Sequence, residues 1–237
     1  MLKRKPLTFD FDYSLHRSPR RRTLEIQVRG AEVRVRAPTR VSQQQIDRFL
    51  WERRHWVQEK LAAHQQQLLA FPPRQFVNGA TWWWLGEPLT LVLAAGGRGR
   101  VQRRDEQLLV LLSARQSADA PAALERLLSD WYKAQAQQIL AEKSAALAAR
   151  LGLQFSAVRL RKTRSRWGHC TSQGVLQYNW LIVQAPESVV DYLVAHEVCH
   201  LRHFNHSRAF WDLVAEVCPD YARQRQWLKE NGAGLWF

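Results

Sequence analysis

Two periodicities divide the chain. Apolar residues alternate with polar ones at Leu24, Ile26 and Val28, and again at Val33 and Val35, with Gly30 between the two sets. A two-residue period with a glycine at the break predicts short strands joined by a turn, within a strand-rich stretch over residues 7–37. The period then changes. Ile46, Phe49, Leu50, Trp56, Val57 and Leu61 recur at helical spacing after Ser42, a residue type that caps helix N-termini. A helix to about Leu69 is expected, with those side chains as its buried stripe, and Phe71-Pro72-Pro73 ends it.

Strand periodicity returns over Thr81–Leu85, Leu89–Leu93 and Leu108–Leu112, with a Gly/Arg turn from Gly96 to Arg100. In Trp82-Trp83-Trp84 the alternation sends the outer two rings to one face and the middle one to the other. Packing of these rings against the Ser42 helix is favoured over a base-stacking platform. Ala118 to Arg150 is rich in Ala, Leu and Gln and should be a long helix. Beyond it, Val158–Arg166 reads as a basic strand and Val175–Val183 as its hairpin partner, with Thr171–Gly174 as the turn. Pro186 and Glu187 suit the first turn of a further helix. The fold class is α+β: a mixed strand and helix region over 1–118, then a compact domain over 119–237 built on a β-hairpin and that helix.

Composition narrows the setting. Of 237 residues, 46% are hydrophobic and 24% charged, an ordinary globular balance that argues against a largely disordered chain. The best apolar run, Leu108–Leu112, is far too short to cross a bilayer, so no membrane partner is expected. Asp10 and Asp12 interrupt the place where a signal peptide would need an apolar core. Cys170, Cys199 and Cys218 form a sparse, odd set without a CxxC pair, which fits a reducing, cytoplasmic compartment. The charge is uneven. Residues 1–118 carry 21 Lys and Arg against 10 Asp and Glu, whereas residues 119–237 carry 14 against 11. The basic half is a candidate surface for an anionic partner such as nucleic acid.

The chemistry is concentrated near the end of the chain. His196-Glu197-Val198-Cys199-His200 is an H-E-x-x-H on the helix expected after Pro186. Residues four apart lie about 40° apart around a helix axis, so His196 and His200 share a face and can reach one ion. Glu197, about 100° round, can act as general base on a water without being a ligand. A hydrolytic zinc takes three protein ligands. His203 lies roughly 10.5 Å along the axis from His196, too far for one ion on a straight helix. His206 joins only if the helix ends before it. Asn205 tolerates a left-handed turn and Ser207 suits the N-cap of a helix over Arg208–Val217, so His206 is the third ligand on this reading, with Glu216 as its rival. The His196, His200, His206 spacing also matches metzincins, but these carry a Met-turn, and the chain's single methionine is Met1.

These residues, together with Thr163-Arg164-Ser165-Arg166-Trp167-Gly168-His169-Cys170, Tyr178-Asn179-Trp180-Leu181, Asn205-His206-Ser207, Phe210-Trp211, Pro219-Asp220-Tyr221 and Trp227-Leu228, resemble the YgjP-like metallopeptidase domain family from about Leu7 to Leu235. That family is similar to WLM-type and SprT-like proteases, compact zincins associated with cleavage of DNA-bound proteins. The resemblance implies zinc on His196, His200 and His206, and a catalytic Glu197. His169 departs from the family, which usually has Ser after Trp-Gly.

The expected activity is a zinc-dependent metallopeptidase acting on peptides or proteins, with an extended substrate added to the sheet edge near Arg164–Cys170 or Val175–Val183. Arg166, His169 and Tyr221 are candidates for substrate binding or oxyanion stabilisation by residue type. The alternatives are a metal-dependent hydrolase of nucleotide phosphoanhydrides, for which Arg164, Arg166 and Arg202 would neutralise phosphates, and a nucleic-acid-associated protein with a zinc site.

Overall fold

In a computed structural model of the 237-residue chain, residues 8–96, 99–113 and 121–237 are described. They form two compact units, Met1–Pro72 and Pro73–Phe237. The boundary expected between 118 and 119 falls outside the described residues.

In the first unit three strands, β1 (Tyr13–Ser18), β2 (Glu25–Arg29) and β3 (Glu32–Pro38), pack on one helix, α1 (Gln43–Ala70). Strand β3 lies in the middle, parallel to β1 and antiparallel to β2. Its inward residues Val35 and Ala37 meet Ile46 and Leu50 of α1, all fully buried. Ser42 starts α1 as a capping box, its hydroxyl accepting from the Gln45 N–H while the Gln45 side chain takes the Ser42 N–H. The buried stripe is narrower than expected. Ile46, Leu50 and Val57 are buried, but Trp56 is 40% exposed, because three short strands cover only one side of a 28-residue helix.

The second unit begins with β4 (Thr81–Trp84), β5 (Glu87–Ala95), β6 (Arg100–Arg104) and β7 (Gln107–Leu112), in the order β4-β5-β7-β6. The long helix α2 (Pro121–Arg150) packs on this sheet. The strands over 81–112 therefore share a core with α2, whereas the Ser42 helix expected as their partner belongs to the first unit. Trp82 is fully buried and stacks on Tyr132 of α2 at 6.1 Å between centroids, and the Tyr132 hydroxyl donates to the Trp83 carbonyl at 2.7 Å.

The last sheet positions the site. It contains β8 (Ala157–Arg161), β9 (Gly168–Cys170) and β10 (Val175–Asn179), in the order β8-β10-β9. The turn at Thr171–Gly174 is where the sequence puts it, with Gly174 in the left-handed region that such a turn requires. The pairing differs. The strand expected over Val158–Arg166 stops at Arg161 and runs parallel to β10, and the antiparallel partner is the short β9. Strand β10 ends at Asn179, whose side chain caps a buried 3₁₀ turn over Trp180–Gln184. With neighbours on both sides, β10 offers no free edge, whereas β9 has one strand neighbour among the described residues and so a free edge. Helices α3 (Glu187–Cys199), α4 (Arg208–Val217) and α5 (Tyr221–Asn231) complete the unit. Among the described residues no helix is long and apolar enough to cross a membrane.

Candidate metal centre

Helix α3 is apolar almost all round. Val189, Val190, Leu193, Val194 and Val198 are buried, and the helix is pinned to α2 by Lys143, which lies 2.7 Å from both Glu187 and Asp191. Such a helix presents polar atoms only where something inside can use them. His196 and Glu197 sit in its last turn and His200 is its C-cap.

The helix then unwinds. The N–H groups of Leu201, Arg202 and His203 turn back onto the carbonyls of Val198 and Cys199, so the chain reverses within a single turn. Asn205 does not adopt the left-handed conformation expected of it. Ser207 occupies the N-cap of α4 without a side-chain cap bond. The result brings His206 back over the end of α3.

Three imidazoles converge there. Nε2 of His196 lies 3.2 Å from Nε2 of His200 and 3.1 Å from Nε2 of His206. The His203 carbonyl lies 2.9 Å from Nδ1 of His200 and can only accept, so Nδ1 carries the proton and the Nε2 lone pair faces the other two rings. Four tetrahedral ligands about 2.0–2.1 Å from an ion stand roughly 3.3 Å apart, so the two spacings from His196 suit a metal, and all three ligand atoms lie within 4.8 Å of one another. Among the described residues His196, His200 and His206 form the one such cluster; His203 and Glu216 are not in it. His203 contributes its carbonyl, and Glu216 is an exposed residue of α4.

Aromatic side chains hold the rings. Phe210 stacks under His200 at 4.5 Å and Trp211 stacks on His206 at 5.7 Å, both from the first turn of α4. Burial and the two neighbouring imidazoles push His196 down to a pKa of about 3, which keeps it an unprotonated donor.

Glu197 lies beside the cluster against β9. Its carboxylate accepts from the Cys170 backbone N–H, and its second oxygen, Oε2, is buried without a partner. Burial raises its pKa to about 8, opposed by the nearby Arg166 guanidinium and the Cys170 bond. A Cβ on Gly168 would sit 2.2 Å from Oε1 of Glu197, so only glycine lets the carboxylate lie against the strand.

The other sequence candidates lie further out. Arg166 is exposed but within electrostatic reach of Glu197. His169 is exposed on β9, where it pairs across to Gln177, and is not in the cluster. Tyr221 stacks on Trp211 at 5.2 Å, one ring removed from the histidines. Two residues near the centre escaped the sequence reading. Tyr192, one helical turn before His196, is buried 6.0 Å from its ring, and burial pushes its hydroxyl up to about 12. Its i−4 position was a usable signal. Arg225 of α5 lies 4.9 Å over Trp211, and no local pattern announces it.

Comparison with known proteins bears on this arrangement. The family model described as YgjP-like, metallopeptidase domain, matches residues 22–231. The chain belongs to the YgjP-like metallopeptidase family. The YgjP-like match spans both units and contains every residue of the histidine cluster. Among solved structures the chain is similar to the metallopeptidase zymogen of Pyrococcus abyssi abylysin, at 21% identity and a TM-score of 0.35, over 38% of this chain and 93% of that one. A search of curated proteins finds no match.

Proposed function

We propose that the protein is a zinc-dependent peptidase in which His196, His200 and His206 hold the metal and Glu197 is the general base. The observation that carries this reading is the convergence of three Nε2 atoms beside a buried carboxylate that has one oxygen unpartnered. Bound zinc would supply a Lewis acid that acidifies water and polarises a carbonyl. The protein's own residues do the rest. Glu197, with its proton affinity raised by burial, takes a proton through Oε2 and returns it to the leaving amine, while the Cys170 N–H keeps the carboxylate oriented. The free edge of β9 receives an extended substrate.

Two features favour peptides over nucleotide phosphoanhydrides. Of the three arginines suited to phosphate, Arg164 lies 5.4 Å over the Trp236 ring, and Arg202 donates to the Leu151 carbonyl at 2.9 Å. Only Arg166 remains uncommitted near Glu197. The comparisons lend no support to nucleic-acid binding by the basic N-terminal half. All three cysteines are unpaired, which suits a reducing compartment such as the cytoplasm.

The test is metal content with turnover. About one zinc per chain is expected in wild type and in Glu197→Gln, and much less in His206→Ala. Peptide hydrolysis should fall by at least a thousandfold in Glu197→Gln. Turnover that survives this change would sink the mechanism.

A further inference from the structure

The loop that separates β8 from β9 is strongly basic, and it borders a cleft of about 190 Å³ lined by Arg161, Thr163, Ser165, Arg166, His169 and Gln177, among others. The register explains why these side chains meet. Gly168 and Cys170 pair with Tyr178 and Leu176, and Tyr178, Leu176 and Cys170 are buried on the α3 side. His169 pairs with Gln177, so both point to the opposite face of the sheet, the face shared by Arg161 across from Asn179. The cleft therefore borders the edge strand that carries Gly168, the residue whose missing Cβ leaves room for the Glu197 carboxylate.

Its chemistry is one-sided. None of the lining residues is acidic, and among the described residues neither Arg161 nor Arg166 forms a salt bridge. The Arg161 Nε bonds only the neutral Gln177 amide, at 3.4 Å. Thr163 and Ser165 add hydroxyls. The loop is also held in place: the Asn179 N–H donates to the Trp167 carbonyl at 2.7 Å, and the Asn179 side chain donates to the Thr163 carbonyl at 3.2 Å. Unpaired guanidiniums on a braced loop beside a free strand edge suit a carboxylate brought in by an extended chain.

We infer that this cleft is a specificity subsite for an acidic side chain, Asp or Glu, of a substrate segment laid along β9, with Arg166 as its principal partner and Arg161 as its second. The inference rests on the peptidase reading for the identity of the chain that enters, but its test does not depend on turnover.

The experiment uses the full-length Glu197→Gln protein and two fluorescein-labelled decapeptides that differ only in Glu against Gln, with affinity read by anisotropy at low salt. The Glu peptide should bind about tenfold more tightly, the size of a charge-assisted hydrogen-bonded pair. Adding Arg166→Glu should reverse the order and favour a Lys-containing version of the peptide. Equal affinities, or a Glu preference that survives the charge reversal, would overturn the inference. Tighter binding of a single-stranded oligonucleotide than of the Glu peptide would overturn it in favour of a nucleic-acid groove. If the Glu preference holds while metal-loaded wild type cleaves neither peptide, the subsite stands and the peptidase reading fails.

Discussion

Gly168 decides whether Glu197 has a usable position. Its missing Cβ is filled by the glutamate side chain, with Oε1, Cδ and Cγ all within 2.7 Å of where that carbon would be. Gly168→Ala should push the carboxylate away from the histidines without touching them. Turnover is expected to fall by about two orders of magnitude, the usual cost of a displacement near 1 Å, with metal content unchanged. Loss of metal along with activity would show that the strand and the cluster are not separable. The same carboxylate makes a pH prediction for the metal-stripped protein. Glu197 rises from an ordinary 4.5 to about 8 in the folded chain, so its stabilising contribution is present below pH 4.5 and is lost as pH rises to 8. His196 falls from 6.5 to about 3, so its contribution is present above pH 6.5 and is lost as pH falls to 3. Between 4.5 and 6.5 the two slopes oppose each other. Stripped wild type should therefore lose stability relative to Glu197→Gln across pH 4.5–8, measured by denaturation at each pH. A difference independent of pH would remove burial as the cause of the shift.

At the scale of elements, local chemistry was readable and long-range pairing was not. The N-cap at Ser42, the Thr171–Gly174 turn and the limits of α4 follow from neighbouring residues, and all appear where the sequence puts them. The convergence of His196, His200 and His206 is local as well, since a helix end and one reversal produce it. The parallel partnerships of β1 with β3, β5 with β7 and β8 with β10 leave no short-range trace. Each places a later strand between two earlier ones, so a basic stretch such as Val158–Arg166 reads as one strand when only its first part has a partner. The tryptophan triplet shows the same limit. Alternation correctly buries Trp82 and Trp84, but the helix they meet is α2, more than thirty residues beyond them. Trp82 touches Phe76, Tyr132 and Phe237, so Trp82→Ala should destabilise the second unit by about 3–5 kcal/mol, read by chemical denaturation. A loss below 1 kcal/mol would mean that this aromatic cluster is not the core joining sheet and helix.

Across the whole molecule, the histidine cluster belongs to a single unit. His196 and His200 come from α3 and His206 from the segment leading to α4, all within Pro73–Phe237. A metal that binds the folded cluster and not the unfolded chain stabilises that unit by RT ln(1 + [L]/Kd), about 4 kcal/mol when free metal is a thousand times Kd. For a unit of this size that corresponds to a melting shift on the order of 10 °C. A chelator should therefore lower the transition that reports on α3, followed by hydrogen exchange of its amides, by roughly that amount. The amides of β3 and α1, which make up the separate core of Val35, Ala37, Ile46 and Leu50, should be unaffected. His206→Ala tests the same linkage from the other side. His206 is exposed and its ring packs only on the other site residues, so removing it costs little apolar burial. The variant should melt near the chelated wild type and show almost no further response to chelator. If it kept the full chelator shift, the metal would be held elsewhere and the cluster would be three histidines with another use; if β3 and α1 shifted as well, the two units would unfold as one.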